Sequence, residues 1–339
     1  MKRLIAIFTL LMSHIAAFGQ SEADGVIKGA ERLEEFHHLL EGRRVGVVMD
    51  NASEGNSHLL VDALLASGVD MQLIFTPASD TNKGKARRSR DAYTGIEVIS
   101  MRRAPRANDV FRCDVILYDV EDTGLSTSSS LLALYRMMSV CAAIGVPLVV
   151  LDRPNPNGAV VDGAILEEGC RTSAEQLPLP LLHGMTMGEM ARMINGEGWL
   201  PEGSKCPLTV VPCLYYLRSQ SALGASPQTL RLPSLCYFEA LGVAAPSVSE
   251  SCGSDEPQTP PAGIDLAPLL EAYNKWKSSE ENPTQEFFTS PALFDRLAGA
   301  SYVRDMILFG YNAHEIEGMW HADVERFTAQ REQYLIYDE

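Results

Sequence analysis

Apolar residues in the first two-thirds of the chain form short continuous runs that alternate with segments of helical spacing. The runs are Val45–Met49, Met71–Phe75, Val115–Val120 and Pro147–Leu151. Continuous apolar runs are typical of parallel strands that are buried on both faces. Between them, apolar residues recur at helical spacing in Ala30–Leu40, His58–Ala66 and Ser130–Ala143. This alternation predicts an α/β domain with a doubly wound sheet.

The pattern changes in the last third of the chain. Leu208–Cys213 has the composition of a strand, whereas Ala244–Gly263 is rich in Pro, Ser, Gly and acidic residues and indicates a loop or linker. After it, apolar residues recur every three or four positions in Leu266–Trp276, Pro291–Phe309 and Ala313–Tyr334. We therefore predict an α/β domain over residues 20–204 and a smaller α+β auxiliary domain over residues 205–339.

The N-terminus has the organisation of a secretory signal peptide. A basic start, Met1-Lys2-Arg3, precedes the largely apolar Leu4–Phe18, and Ala17-Phe18-Gly19 is a small-x-small cleavage site. The apolar run is shorter than the roughly 20 residues that a membrane anchor needs. We predict a signal peptide over residues 1–19 and an exported protein, periplasmic or extracellular, without a membrane span.

The charge balance limits the classes of partner. The chain has 28 Lys and Arg against 44 Asp and Glu, a formal net charge of −16. Such a chain repels phosphate backbones and anionic lipids, so we expect neither nucleic acid nor an anionic membrane surface as a partner. Lys83–Arg90 is a basic cluster, either a solvated loop or an anion site for a carboxylate or phosphate.

The sequence gives no support for a cofactor or a metal. The Gly-x-Gly-x-x-Gly fingerprint of dinucleotide binding is absent. None of the seven cysteines forms a Cys-x-x-Cys pair, and no spacing of His and carboxylates is typical of a metal site. A bridge between Cys206 and Cys213 stays open as an interpretation.

Polar residues follow the predicted strands where an open α/β sheet binds its ligands, at the carboxyl ends. Asp119, Glu121 and Asp122 follow one strand, and Asp152, Arg153 and Asn155 follow the next. The carboxylates could do acid–base work, cap helices or pair with Arg153. Asn155 lies between two prolines, which fix its backbone, so it either aims its amide at a ligand or forms a structural turn.

A further polar segment runs from His183 to Glu189. Thr186 and Glu189 have the spacing of a capping box, so this Glu could serve only to begin a helix. His183 directly precedes that helix, either facing the crevice as a titrating group or serving as a structural residue.

Several of these segments resemble a known family. Val149–Gly158 contains Leu-Asp-Arg-Pro-Asn-Pro, His183–Glu189 reads His-Gly-Met-Thr-Met-Gly-Glu, and Asn195–Leu200 and Arg331–Tyr337 also match. Together they make the mature chain similar to the exo-β-N-acetylmuramidases, secreted or surface bacterial glycoside hydrolases that remove terminal N-acetylmuramic acid from peptidoglycan fragments. The resemblance implies a Rossmann-like domain joined to a smaller auxiliary domain, with a sugar site in the cleft between them.

The resemblance weakens where that family has its chemical groups. The family motif Phe-Ser-Pro-Glu-His-Gly, whose Glu is the leading catalytic candidate, corresponds here to Phe75–Asp80, and the Glu position is Ala78. Alanine cannot protonate a leaving oxygen. The place of a family Arg is Ser126, which lacks a bidentate anchor for the lactyl carboxylate of muramic acid. Asp80 and Glu121 are acids that could replace the lost group.

The resemblance also implies roles for individual residues. We expect Arg153 and Asn155 at the floor of the cleft, His183 facing the sugar, and Glu239 approaching from the second domain. If the site is active, the candidate catalytic carboxylates are Asp119, Glu121, Asp122 and Asp152.

The preferred hypothesis is an exported family member that acts on or binds peptidoglycan-derived sugar, with catalysis lost or impaired. The alternatives are an active hydrolase of terminal N-acetylmuramic acid with a relocated carboxylate, and a purely structural envelope component.

Overall fold

The structure is a computed structural model, and it describes residues 25–50, 57–77, 87–171, 176–219, 263–278 and 286–338. A seven-stranded sheet has the order β3-β4-β2-β1-β5-β6-β9, and β7 and β8 form a separate two-stranded antiparallel sheet. Among the described strands of the large sheet, β3 alone runs antiparallel to its neighbour. The strands are β1 (Arg44–Met49), β2 (Asp70–Thr76), β3 (Arg88–Arg90), β4 (Glu97–Ser100), β5 (Val115–Asp119), β6 (Leu148–Leu151), β7 (Val161–Ile165), β8 (Pro180–His183) and β9 (Leu208–Val211).

Helices cover both faces of the large sheet. The described helices of this region are α1 (Leu33–Phe36), α2 (Ser57–Ala66), α3 (Ala107–Val110), α4 (Ser129–Ile144) and α5 (Met187–Gly196). Leucines and methionines of α4 and α5 fill one apolar core, and Phe36 with Leu60, Val61 and Leu64 fills the core on the opposite face. Burial on both faces explains the continuous apolar strands. The predicted α/β fold class is confirmed.

Strand β1 lies at the centre of the large sheet, and its side chains pack into the cores on both faces. Val45, Val47 and Met49 pack into one core, and Val48 packs into the other. Gly46 lies beside Ile116 of the neighbouring strand β5, and a Cβ atom there would lie 2.8 Å from Ile116 Cδ1 and 2.9 Å from Cys113 Sγ. A side chain at position 46 would therefore push β5 or its flanking turn away from β1.

The C-terminal region is built from helices around a third core. These helices are α6 (Ala267–Lys277), α7 (Pro291–Ala298), α8 (Ser301–Phe309) and α9 (Ala313–Arg331), and their core includes Phe287, Phe294 and Trp320. Ala164 of β7 belongs to the same core, and Trp320 Nε1 donates a hydrogen bond to Asp162 Oδ1 at 2.8 Å. The small sheet therefore connects the helices to the rest of the molecule.

Strand β9 lies in the large sheet, where it pairs with β6, although the sequence analysis assigned its residues to the second domain. The sheet thus continues past the boundary predicted after residue 204, and the division of the chain itself stays a prediction. Among the described residues, no helix is both long enough and apolar enough to cross a membrane.

Candidate functional site

The carboxyl ends of three neighbouring strands bring acidic side chains to one edge of the large sheet. Asp50 follows β1, Asp119 ends β5, and Asp152 follows β6. Met49 is in register with Asp119, so the β1 and β5 ends are level. Since β1 has β2 on one side and β5 on the other, the strand order reverses here, and open α/β sheets bind ligands at such a point.

Arg153 holds Asp119 in a bidentate ion pair. Arg153 Nε donates to Asp119 Oδ1 at 2.6 Å, and Nη2 donates to Oδ2 at 3.0 Å. The Asp119 side chain is only 2% exposed, so the guanidinium balances a carboxylate that water does not reach. The sequence predicts both residues at the strand ends, and the structure brings them together there. Both Asp119 oxygens already accept hydrogen bonds, which favours a positioning role over acid–base work.

Glu121 and Asp50 form the outer part of this cluster. Glu121 Oε1 lies 3.3 Å from Arg153 Nη1, and its side chain is 63% exposed. The backbone N–H of Glu121 donates to Asp50 Oδ2 at 2.9 Å. Burial raises the pKa of the Asp50 carboxyl to about 6, although the Glu121 hydrogen bond and Arg153 oppose this rise. Asp50 is not among the residues predicted from the sequence, although it directly follows the β1 apolar run, which is the position that identifies the polar residues after the other strands.

Asp122 stabilises the turn that leads into α4. Its Oδ1 accepts hydrogen bonds from the hydroxyls of Ser128 and Ser130, and its Oδ2 accepts from the backbone N–H of Gly124. Gly124 has φ of 72°, and a Cβ atom there would collide with Asn155 Oδ1. The structure therefore gives this carboxylate a local structural role, one of the alternatives left open by the sequence.

His183 ends β8 and is fully buried. Its Nδ1 accepts a hydrogen bond from the backbone N–H of Met185 at 3.2 Å, and its Nε2 lies 3.8 Å from Asp122 Oδ2. Burial lowers the pKa of the imidazole to about 4, although Asp122 opposes this, so His183 is neutral near pH 7. Nε2 has no hydrogen-bond partner among the described residues. A sugar-facing role for His183 stays a prediction.

Asp152 joins three parts of the chain rather than facing an open crevice. Its oxygens accept hydrogen bonds from the Thr186 hydroxyl at 2.7 Å, the Gly188 N–H at 2.8 Å and the Tyr337 hydroxyl at 2.6 Å. Burial raises the pKa of this carboxyl to about 6, and the bonds from Tyr337 and Thr186 oppose that rise. Asp152 is fully buried, which places it below the surface that a sugar could reach.

Helix α5 begins with the predicted capping box. Thr186 Oγ1 accepts from the Glu189 N–H at 3.3 Å, and Glu189 Oε2 accepts from the Thr186 N–H at 2.9 Å. Glu189 also forms a buried ion pair with Arg218 at 2.8 Å. This Glu therefore serves the helix start and an internal ion pair.

Asn155 forms a buried turn. Its Nδ2 donates to the Met185 carbonyl oxygen at 2.8 Å, and its Oδ1 accepts from the Asn157 N–H at 2.8 Å. Its backbone N–H donates to the Tyr216 hydroxyl at 3.3 Å. The two prolines thus flank a buried turn, and its amide group bonds within the protein.

Several predicted positions lie outside the described residues: Ala78, Ser79, Asp80, Glu239 and the first half of the basic cluster. In its described half, Arg88 pairs with Glu97 and Asp109, and Arg90 donates to the Gly95 carbonyl oxygen. These arginines are engaged with the protein itself. The described residues contain no cluster of three or more His, Cys, Asp or Glu side chains suited to a metal ion.

The interpretation of a Cys206–Cys213 bridge is wrong. The two cysteines lie at opposite ends of β9, and both are free and buried. A four-residue strand is about 13 Å long, whereas the Cα atoms of a disulfide lie within about 7 Å. Cys213 Sγ instead donates to the Asp152 carbonyl oxygen at 3.2 Å.

Two models of one protein family match this chain. The model of the N-terminal part of the exo-β-N-acetylmuramidase NamZ matches residues 45–231, and the model of its C-terminal part matches residues 233–337. The chain belongs to the NamZ family. The resemblance inferred from the sequence motifs is thereby confirmed, and the crevice lies within the N-terminal match.

Individual relatives agree with this membership in the NamZ family. The peptidoglycan β-N-acetylmuramidase NamZ of Bacillus subtilis is 23% identical, over 90% of this chain and 89% of that protein. A crystal structure of a DUF1343 family protein from Bacteroides fragilis matches with a TM-score of 0.76 and 29% identity, over 93% of this chain and all of that one. A second such protein has a TM-score of 0.71 at 20% identity, covering 92% and 99%, and shows the fold alone.

Proposed function

We propose that the protein is exported, binds the terminal N-acetylmuramic acid residue of peptidoglycan fragments at this crevice, and hydrolyses its glycosidic bond slowly. Membership in the NamZ family and the muramidase named in Bacillus subtilis support the sugar class. The Asp119–Arg153 pair at the switch point of the sheet is the observation that carries the proposed site. The signal-peptide pattern of residues 1–19 supports export.

We expect slow hydrolysis because the family position of the acid is alanine and most candidate carboxylates are engaged in other contacts. Ala78 stands where the family resemblance places the acid. Of the four candidate carboxylates, three are engaged: Asp119 is held by Arg153, Asp122 caps a turn, and Asp152 is saturated with hydrogen bonds. The fourth, Glu121, lies in solvent beside Arg153. Glycoside hydrolysis depends on a group that protonates the leaving oxygen, and losing such a group commonly costs about 10²–10⁴-fold in rate.

The test of binding and turnover uses the disaccharide N-acetylmuramyl-β-1,4-N-acetylglucosamine. We expect calorimetry to detect binding, with weaker binding of a disaccharide that has N-acetylglucosamine in the terminal position. Release of free N-acetylmuramic acid should be about 10²-fold or more slower than in the Bacillus subtilis relative. Absence of binding would remove the sugar assignment, and turnover at the relative's rate would remove the impairment.

A matched pair of variants isolates the missing acid. Ala78→Glu supplies a carboxyl group at the family position, whereas Ala78→Gln supplies a side chain of the same size without an acidic proton. We expect only Ala78→Glu to raise turnover of the disaccharide, by about 10-fold or more. An equal effect of the two variants would show that the missing acid does not limit the rate.

Export is tested by expressing the whole chain in a Gram-negative host. We expect the protein in the periplasm or the medium, with Gln20 as its first residue. Retention of residues 1–19 on a cytoplasmic protein would contradict this part of the proposal.

A further inference from the structure

We propose that Asp50 is the proton donor of the residual glycosidic cleavage, an inference that rests on the proposed function of the same crevice. A proton donor for this reaction needs a carboxyl group at the crevice that is not consumed by an ion pair or a cap. Asp50 is the described carboxylate that meets this condition without lying far out in solvent.

The register of the sheet sets Asp50 against the end of β2, the strand that leads to position 78 in the sequence. Val48 of β1 is in register with Phe75 of β2. Continuing this register by two residues sets Asp50 opposite Pro77, each one residue past the end of its strand. Neighbouring strands lie about 4.8 Å apart. A carboxyl group on β1 can therefore serve the same edge of the crevice from the adjacent strand.

One hydrogen bond fixes the carboxyl group of Asp50 and leaves its other oxygen available. Oδ2 accepts from the Glu121 backbone N–H at 2.9 Å, which holds the side chain towards the β5 end. No hydrogen bond to Oδ1 is made by the part of the chain that the structure describes. Asp50 therefore differs from Asp119, Asp122 and Asp152, whose two oxygens are all engaged.

The surroundings of Asp50 favour a neutral acid in mildly acidic solution. Glu121 and Asp119 face it from the β5 side and Arg153 faces it from the β6 side, while Thr76 and Pro77 of the β2 side carry no charge. Burial, helped by the two carboxylates and opposed by Arg153, raises the pKa of Asp50 to about 6. A donor must hold its proton at the working pH, and this pKa allows it below about pH 6.

The step balances without another reagent. Neutral Asp50 gives its proton to the glycosidic oxygen while the bond between C1 and that oxygen breaks, so the N-acetylglucosamine unit leaves with a new hydroxyl group. Water adds to C1 and loses a proton to solvent, and solvent returns a proton to the Asp50 carboxylate. The sum is one bond hydrolysed by one water molecule.

The test compares two substrates that differ in their need for a proton. A sugar leaving group needs protonation, whereas 4-nitrophenolate leaves without it. We expect Asp50→Asn to lower release of N-acetylmuramic acid from the disaccharide on the order of 10²-fold and to leave the 4-nitrophenyl glycoside far less affected. In the unmodified protein, turnover of the disaccharide should fall as the pH rises above about 6, and Asp50→Asn should remove that dependence.

Asp70→Asn is the matched control, since it makes the same change at the start of β2, at the opposite edge of the sheet. It should leave both rates unchanged. Binding of the disaccharide by Asp50→Asn, measured by calorimetry, shows that the crevice is intact. If Asp50→Asn binds and cleaves as the unmodified protein does, the assignment of Asp50 is overturned and the proposed function stands. Binding without cleavage by the unmodified protein from pH 4 to 7 also overturns it, and absence of binding by the unmodified protein overturns both.

Discussion

At the scale of single residues, the carboxylates of the crevice differ in what the chain around them leaves free. Arg153 uses two nitrogens to hold Asp119, while Asp122 accepts from two serines and a backbone N–H. Both arrangements satisfy buried charge, and removing a partner would leave an uncompensated carboxylate. Sequence position alone could not separate these carboxylates from an available one, because the partners come from strands and turns that are distant in the chain.

His183 gives a prediction about stability and pH. Its folded pKa of about 4 lies below the ordinary value of 6.5, so the folded protein holds it neutral while the unfolded chain takes up a proton. Stability is therefore lost as the pH falls through 6.5 towards 4. Relative to pH 7, the unfolding free energy at pH 5 should be about 2 kcal/mol higher in His183→Gln than in the unmodified protein, whatever the net trend from the other groups. Urea unfolding at the two pH values measures it.

The control for this prediction is the same change at the exposed His38. His38→Gln should leave the pH dependence as it is in the unmodified protein. Asp50 and Asp152 titrate in the opposite sense, because their folded pKa values are raised to about 6, but they are common to all three proteins. A pH dependence unchanged in His183→Gln would show that this imidazole is not held neutral in the folded state.

At the scale of elements, the central strands could be predicted because both of their faces are buried. β1, β2, β5 and β6 carry continuous apolar runs, and their helices repeat at helical spacing. The three residues of β3 are all exposed, and β4 has only four residues, of which one is buried. Neither strand therefore has a hydrophobic pattern that distinguishes it from a loop. The β7–β8 pair was missed as well, since its strands contain Gly163 and Pro180, which are uncommon in strands.

The residues of the crevice could be predicted only in part, because some of their partners come from distant parts of the chain. The rule that ligands lie at the carboxyl ends of parallel strands correctly located Asp119 and Arg153. It could not show that Tyr337, 185 residues after Asp152, donates a hydrogen bond to that carboxylate. Such long-range contacts depend on the docking of elements and leave no local pattern.

The connection between β6 and the C-terminal tail gives a second prediction. Tyr337 donates its hydroxyl proton to Asp152 Oδ2 and accepts from the Cys213 N–H at 2.9 Å. Tyr337→Phe removes both bonds and leaves a buried N–H and a buried carboxylate short of a partner. We expect a loss of about 1–3 kcal/mol in unfolding free energy, measured by urea denaturation.

Tyr334→Phe is the matched control for that experiment. Its hydroxyl donates to Glu197 Oε1 at 2.7 Å in a partly exposed place, where water can replace it. The control should cost less than about 1 kcal/mol. Equal losses of unfolding free energy in the two variants would mean that the buried hydrogen bonds of Tyr337 contribute no more than an exposed one.

At the scale of the whole molecule, the helical region depends on the sheet region for part of its core and for its connections. Ala164 of β7 completes the third core, and Arg331 at the end of α9 donates to the carbonyl oxygens of Ala159 and Gly184. The tail then reaches Asp152 through Tyr337. Contacts of this kind favour cooperative unfolding, because opening one region removes partners of buried groups in the other.

Tryptophan fluorescence can test this cooperativity, because the three tryptophans divide between the regions. Trp199 packs against the core of α4 and α5, whereas Trp276 and Trp320 belong to the helical region. In Trp199→Phe, fluorescence reports the helical region, and in the double variant Trp276→Phe with Trp320→Phe it reports the sheet region. Circular dichroism follows the helices of the whole molecule in both proteins.

We expect the fluorescence and dichroism transitions in urea to coincide within each variant, whatever the stability of that variant. Comparing two signals in one protein removes the effect of losing the Trp320–Asp162 hydrogen bond, which lowers the stability of the double variant as a whole. If the fluorescence of Trp276 and Trp320 changes at clearly lower urea than the dichroism of the same protein, the helices open first. The contacts of Arg331 and Tyr337 would then be too weak to join the regions into one cooperative unit.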